Sequence, residues 1–173
     1  MIELVLGGAR SGKSKYAEQQ AIESAKQVIY IATAEARDTE MKLRIDRHQQ
    51  DRPQSWHTVE EPVFLAKVIN DHAQQNGCLL VDCLTLWLSN ILFDKKGRVQ
   101  QTIFENETTA LFESLSNFSG QIILVSNELG LGVIAMDKMT RRFVDEAGFL
   151  HQKIATLSDK VVLVTAGLPQ VLK

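Results

Sequence analysis

The stretch Gly7-Gly8-Ala9-Arg10-Ser11-Gly12-Lys13-Ser14 follows directly on the apolar run Ile2–Leu6. It matches in full the pattern G-x-x-x-x-G-K-[ST], a glycine-rich turn between a strand and a helix that surrounds phosphate groups. The glycines let successive N–H groups face phosphate oxygens, and the following helix adds the positive end of its dipole. We expect these eight residues to bind a nucleoside triphosphate, with Lys13 reaching the β- and γ-phosphates and Ser14 holding Mg²⁺. An ordinary glycine-rich turn would not explain the Lys-Ser pair.

Length and composition favour a single globular domain spanning residues 1–173, since 45% of the 173 residues are hydrophobic. The formal net charge is −2 and only 6% of the residues are aromatic. The chain therefore lacks the basic field and the stacking platform of nucleic-acid binders. No apolar run reaches membrane-spanning length, and the N-terminus enters a strand without a charged leader, so we expect a cytoplasmic protein. Cys78 and Cys83 do not form a C-x-x-C pair and are expected to be reduced core thiols.

Short apolar runs alternate with longer amphipathic stretches, which predicts an α/β fold with a mostly parallel central sheet flanked by helices. Five runs are expected in the middle of the sheet, because strands buried on both faces read as continuous apolar segments: Ile2–Leu6, Val28–Ala32, Leu79–Asp82, Ile122–Ser126 and Val161–Thr165. Trp56–Val59 is a candidate edge strand. Helices are expected at Ser14–Ser24, Thr39–Gln50, Pro62–Gln75, Leu84–Phe93, Ile103–Asn117 and Lys138–Leu157, the last with a possible break near Gly148.

Two acidic residues follow predicted strands. Mg²⁺ held by Ser14 needs a further oxygen ligand, and Asp82 supplies one at the end of Leu79–Asp82, although a strand can also end in a capping aspartate. Glu128 follows the strand that begins at Ile122, and ligands of open α/β sheets bind beyond the carboxyl ends of the strands. Glu128 could therefore orient a nucleophile, support Mg²⁺ or contact the acceptor. The alternative is a polar loop.

A row of basic side chains is predicted on the helix at Thr39–Gln50. If that helix continues to Arg52, then Arg44, His48 and Arg52 lie four residues apart along one stripe. Most such rows are solvated faces. An imidazole between two guanidinium groups can also attack a phosphorus centre while its neighbours neutralise the phosphate oxygens, and spacing alone leaves both interpretations open. The other histidines, at positions 57, 72 and 151, have no comparable setting.

Taken together, these segments resemble the bifunctional adenosylcobinamide kinase / adenosylcobinamide-phosphate guanylyltransferase family of cobalamin biosynthesis over nearly the whole chain. A phosphate loop alone would not select this family, but the ordered series is specific. Beside the loop, the series comprises Tyr30-Ile31-Ala32-Thr33-Ala34, Glu40-Met41, Arg44-Ile45, His48, Arg52-Pro53, Asp82-Cys83-Leu84-Thr85-Leu86-Trp87-Leu88-Ser89-Asn90, Val125-Ser126-Asn127-Glu128, Gly130-Leu131-Gly132 and Ala166-Gly167-Leu168-Pro169.

The resemblance implies two reactions on one acceptor. GTP, or ATP, phosphorylates the hydroxyl of the aminopropanol arm of adenosylcobinamide. A second GTP then transfers GMP through a guanylylated histidine, which falls on His48, and the products are adenosylcobinamide-GDP and pyrophosphate. The resemblance also implies the RecA-like branch of the P-loop NTPase fold and a homotrimer.

The resemblance further implies that guanine-nucleotide contacts come from Thr33, Ala34, Glu35, Gln49, Gln50, Asp51, Arg52 and Glu60, and that Lys13, Ser14 and Asp82 serve both reactions. Two positions depart from the family pattern. Val133-Ile134-Ala135 lacks the proline that is common there, and His151-Gln152 replaces Asn-Gln, which puts an acceptor contact of that asparagine in question. Two other interpretations stay open: a small-molecule kinase of the same fold that never guanylylates, and a non-catalytic nucleotide-dependent switch.

Overall fold

The computed structural model describes residues 1–35, 53–73 and 76–173. In these ranges the strands are β1 (Ile2–Gly7), β2 (Gln27–Ala32), β3 (His57–Glu60), β4 (Gly77–Asp82), β5 (Gln121–Asn127), β6 (Lys160–Thr165) and β7 (Leu168–Val171). The helices are α1 (Lys13–Glu23), α2 (Leu65–His72), α3 (Leu84–Leu92), α4 (Gln101–Ser116) and α5 (Lys138–Leu157). The helix expected at Thr39–Gln50 lies outside the described residues.

The strands form one seven-stranded sheet in the order β3-β2-β4-β5-β1-β6-β7. All pairings are parallel except that of β6 with β7. The predicted mostly parallel sheet is confirmed, and the five apolar runs occupy its five inner positions. Since β5 lies between β4 and β1, the carboxyl ends of these three strands lie side by side, and each is followed by a residue predicted for the site.

Neighbouring strand residues point to opposite sides of the sheet, so the continuous apolar runs make both faces apolar. Helices cover both of these faces. Leu4 belongs to the core on the face covered by α2, α3, α4 and α5. Val5 belongs to the core on the opposite face, where α1 packs through Ala17 and Ala21. These two alanines lie four residues apart and are fully buried, so α1 approaches the sheet closely. This close approach fixes the position of the phosphate loop that precedes α1.

Two local expectations need correction, and one strand was not predicted. The helix predicted to begin at Pro62 begins at Leu65, because the Glu61 carboxylate accepts the N–H groups of Val63 and Phe64, each at 2.9 Å, and holds them in a turn. Helix α5 runs through Gly148 without a break. The sequence also gave no sign of β7, whose residues are all exposed and include a proline. Proline is tolerated in β7 because this strand lies at the edge of the sheet.

The other expectations for the described elements are confirmed with small shifts. The candidate strand at Trp56–Val59 is β3, which pairs with β2 at an edge of the sheet. Cys78 and Cys83 are buried free thiols, and burial raises the pKa of each to about 11. Both thiols are therefore protonated and unreactive at neutral pH. Among the described helices, none has both the length and the apolar character needed to cross a bilayer.

Candidate active site

The phosphate loop, residues 7–14, leaves β1 and enters α1 at Lys13. Its apex, residues 8–10, is exposed, and Ser11 N–H donates to the Gly8 carbonyl at 3.2 Å to close the turn. Arg10 and Gly12 have φ angles of 58° and 94°, so the chain reverses through the left-handed region just before the helix begins. As a result, the N-terminus of α1 faces the space enclosed by the loop, where its N–H groups favour an anion.

Two glycines of the loop are required by close contacts. A Cβ atom on Gly7 would lie 2.4 Å from Ser11 Oγ and 2.6 Å from the Val164 carbonyl oxygen. A Cβ atom on Gly12 would lie 3.1 Å from Gly167 Cα, and Gly167 N–H donates to the Ser11 carbonyl at 2.7 Å. The turn between β6 and β7 therefore supports the phosphate loop from behind. The turn belongs to Ala166–Pro169, one of the segments that carry the family resemblance.

Replacing Gly7 with alanine is expected to lower the free energy of unfolding by about 1–3 kcal/mol, because the new methyl group overpacks against a backbone carbonyl. Gly8→Ala is the matched control, since a Cβ atom there meets nothing within 4 Å. Urea unfolding of both variants measures the difference. Equal stability of the two variants would contradict the close packing behind the loop.

Lys13 lies in the loop with only 9% of its surface exposed. Its Nζ donates to the Gly8 carbonyl at 3.1 Å. Burial lowers the pKa of Lys13, while the neighbouring Asp82 carboxylate opposes that shift. Asp82 at the end of β4 is thus within electrostatic reach of the loop lysine.

Tyr30 holds Asp82 in place. Its hydroxyl donates to Asp82 Oδ2 at 2.8 Å, and its ring stacks on Trp56 with 6.4 Å between the ring centroids. Ala32 of β2 lies opposite Asp82 in the parallel register, which places Tyr30 one pleat away on the same face. The sequence motif that contains Tyr30 does not reveal this positioning role, because Asp82 lies 52 residues away along the chain.

The oxygen groups of this region fit a magnesium ion bound together with phosphates. Ser14 and Asp82 are both partly exposed, and their hydroxyl and carboxylate oxygens are ligands of the kind that Mg²⁺ prefers. Mg²⁺ is commonly held by one or two side chains plus phosphate oxygens, so a protein-only cage is not needed. The described ranges contain no group of three His, Cys, Asp or Glu side chains arranged for a metal. Ser11 Oγ is buried without a hydrogen-bond partner among the described residues, and a phosphate oxygen would satisfy it.

The residues after β2 and β3 occupy different environments. Thr33 is fully buried; its hydroxyl donates to the Cys83 carbonyl at 2.7 Å and accepts Cys83 N–H at 2.9 Å. It therefore ties the end of β2 to the turn after β4. Ala34 and Glu35 are partly exposed, and Glu60 is exposed at the end of β3. The remaining predicted site residues, His48, Gln49, Gln50, Asp51 and Arg52, lie outside the described residues.

Glu128 follows β5 and is attached to the phosphate loop, since its N–H donates to the Gly7 carbonyl at 3.0 Å. One carboxylate oxygen, Oε1, accepts the N–H of Gly130. The other, Oε2, lies 4.0 Å from Nδ1 of His151, which is buried beneath it. This setting differs from the one predicted for His48, and it was not foreseen from the sequence. The available signal was its place on the core-facing stripe of α5, four residues after Ala147 and three before Ile154.

Comparison with known proteins connects this geometry to a family. The model of the cobinamide kinase / cobinamide phosphate guanyltransferase family matches residues 3–172. The bifunctional adenosylcobalamin biosynthesis protein CobP of Pseudomonas aeruginosa is 52% identical over 174 residues, covering 100% of this chain and 98% of the relative. The bifunctional adenosylcobalamin biosynthesis protein CobU of Escherichia coli is 36% identical over 177 residues, with 97% of each chain covered.

A similar fold also occurs in a solved structure of low sequence identity to this chain. The solved structure of the RadB recombinase superposes with a TM-score of 0.52 over 94% of this chain and 73% of that chain, at 15% identity. This similarity confirms the predicted RecA-like P-loop NTPase fold. The family match covers nearly every residue and agrees with the ordered motifs. The chain therefore belongs to the cobinamide kinase / cobinamide phosphate guanyltransferase family of adenosylcobalamin biosynthesis.

Proposed function

We propose that one domain, residues 1–173, carries out both reactions of the family at the phosphate-loop site. It phosphorylates adenosylcobinamide with GTP or ATP, and it then transfers GMP from GTP to give adenosylcobinamide-GDP. The observation that supports this proposal is the arrangement of Lys13, Asp82 and Glu128 at or just beyond the carboxyl ends of three neighbouring strands, β1, β4 and β5. The nucleotide phosphates and the acceptor would meet at this edge of the sheet.

In the kinase step, the acceptor hydroxyl oxygen attacks the γ-phosphorus, the bond from that phosphorus to the bridging oxygen breaks, and the nucleoside diphosphate leaves. Loop N–H groups and Lys13 neutralise the phosphate oxygens as charge moves to the leaving group. Glu128 accepts the hydroxyl proton as the new bond forms. Ser14 and Asp82 would hold Mg²⁺, which would supply further positive charge at the phosphates.

In the transfer step, an imidazole nitrogen of His48 attacks the α-phosphorus of GTP, and the bond to pyrophosphate breaks. An oxygen of the acceptor phosphate then attacks the same phosphorus, the phosphorus–nitrogen bond breaks, and His48 is regenerated. The resemblance supports this role for His48. It also supports guanine-nucleotide contacts from Thr33, Ala34, Glu35, Gln49, Gln50, Asp51, Arg52 and Glu60. The burial of Thr33 favours an indirect contribution through the Cys83 backbone.

We further propose a cytoplasmic location and a homotrimer. The two free, buried thiols support a reducing compartment. The resemblance alone supports the trimer, which light scattering of the purified protein would test.

The proposal is tested by incubating the purified protein with adenosylcobinamide, GTP and Mg²⁺. The expected products are GDP from the first step, and pyrophosphate and adenosylcobinamide-GDP from the second, identified by mass spectrometry. Chelation of Mg²⁺ should stop both steps, and added Mg²⁺ should restore them. A reaction that ends at adenosylcobinamide phosphate would indicate a kinase without transferase activity. GTP binding without either product would indicate a nucleotide-dependent switch.

A further inference from the structure

A chain of buried polar side chains runs below the carboxyl end of β5. Thr85 of α3, Ser126 of β5 and His151 of α5 are all nearly inaccessible to solvent. Ser126 Oγ lies 3.1 Å from Thr85 Oγ1 and 2.7 Å from His151 Nε2. Beyond the imidazole, Nδ1 faces the Glu128 carboxylate at 4.0 Å. The chain thus joins three elements to one carboxylate at the site.

One direction of these hydrogen bonds gives both buried hydroxyl protons an acceptor among the described residues. Thr85 Oγ1 accepts the N–H of Asn127 at 2.7 Å. Within the described ranges, the hydroxyl of Thr85 has one further hydrogen-bond partner, Ser126 Oγ. The Thr85 hydroxyl proton is therefore assigned to this contact, with Thr85 as the donor. Ser126 then donates its own proton to His151 Nε2. In a neutral imidazole the remaining proton must be on Nδ1, which faces Glu128.

The surroundings of His151 agree with a neutral ring. Burial lowers the pKa of His151, an effect larger than the opposing influence of Glu128. The side chains of His151 and Glu128 are 9% and 22% exposed, so the imidazole is enclosed while the carboxylate is still accessible to a substrate. The contact is therefore a neutral N–H facing an accessible carboxylate.

We propose that His151 is a positioning residue: its Nδ1–H, fixed by Ser126 and Thr85, orients Glu128 Oε2 toward the acceptor hydroxyl. This inference rests on the proposed function, which assigns proton acceptance to Glu128. The 4.0 Å separation is longer than a hydrogen bond. Catalytic hydrogen bonds often shorten when substrate binds. Gly130 N–H already holds Oε1, so an Nδ1–H contact to Oε2 would fix both carboxylate oxygens.

The first test measures the tautomer directly in the wild-type protein, without substrate. Long-range ¹H–¹⁵N NMR of the four histidine rings, with His151→Asn used to assign the His151 signals, distinguishes a protonated Nδ1 from a protonated Nε2. We expect Nδ1–H at pH 7. Nε2–H would reverse the hydrogen-bond chain and overturn the proposal.

The second test uses two substitutions of His151, each of which keeps one of its two contacts: Nδ1 with Glu128 or Nε2 with Ser126. The amide of His151→Asn reaches the position of Nδ1 and can still donate to Glu128. The amide of His151→Gln reaches the position of Nε2 and keeps the Ser126 contact instead. We expect His151→Gln to lower kcat of the kinase step roughly 10- to 100-fold with unchanged KM for GTP, and His151→Asn to retain several times more of kcat.

Thermal unfolding of both variants separates positioning from folding. If kcat falls equally in the two variants, and the fall follows their loss of Tm, His151 has a structural role. That result would overturn the proposal. If the wild-type protein phosphorylates no adenosylcobinamide, the proposed function fails. The NMR tautomer then still decides whether an Nδ1–H of His151 faces the Glu128 carboxylate.

Discussion

Replacing Lys13 with alanine is expected to reduce both phosphorylation and GMP transfer by at least about 10²-fold and to weaken GTP binding strongly. Lys13 is buried in the phosphate loop, with its Nζ held near the loop backbone and Asp82 within electrostatic reach. No other described side chain of the loop carries a buried positive charge. The charge that accumulates on the phosphates during transfer would therefore lose its main cationic partner.

Lys15→Ala is the matched control for this experiment. Lys15 lies two residues further along α1 and is exposed, so its removal changes the net charge equally without entering the site. GTP titration by calorimetry measures binding, and steady-state assays measure the two rates. If Lys13→Ala retains the GTP affinity and turnover of Lys15→Ala, the assignment of the loop as a triphosphate site is wrong.

Replacing His48 with alanine is expected to abolish covalent labelling of the protein by α-labelled GTP while phosphorylation of adenosylcobinamide continues. The reason is chemical: only the transfer step needs a nitrogen nucleophile, whereas the kinase step uses the acceptor hydroxyl. The label on the wild-type protein should be labile in acid and stable in base, as expected for a phosphorus–nitrogen bond.

The controls for His48 are the exposed His57 of β3 and the partly exposed His72 of α2, whose rings lie 6.3 Å apart. His57→Ala and His72→Ala should label like the wild-type protein. Retention of the label in His48→Ala would exclude His48 as the nucleophile. Absence of the label from the wild-type protein would remove the transferase half of the proposed function.

Most of the sheet could be predicted because its inner strands are buried on both faces. Such strands read as continuous apolar runs, and these five runs occupy the five inner positions. The exposed edge strand β7 has no such signal, and its proline argued against a strand. Helix α5 also shows the limit of local signals, because packing of its apolar face keeps it continuous through Gly148.

The candidate site also contains residues that the sequence predicted and residues that only the structure revealed. The positions of Lys13 and Ser14 were predictable because a phosphate loop is contiguous in sequence, and those of Asp82 and Glu128 because parallel strands end at one edge of the sheet. Tyr30 and His151 were not predicted as positioning residues. Their partners Asp82 and Ser126 are 52 and 25 residues away, and no local pattern encodes those contacts.

The sequence by itself determined the phosphate loop, the inner strands and the family, since each depends on residues that are adjacent or in fixed order along the chain. Only the tertiary structure decided what holds these residues in place: the turn at Gly167 behind the loop, Tyr30 against Asp82, and the path from Thr85 to His151. The physical reason is that a hydrogen bond depends on distance in space. Packing of α1, α3 and α5 on the sheet sets those distances.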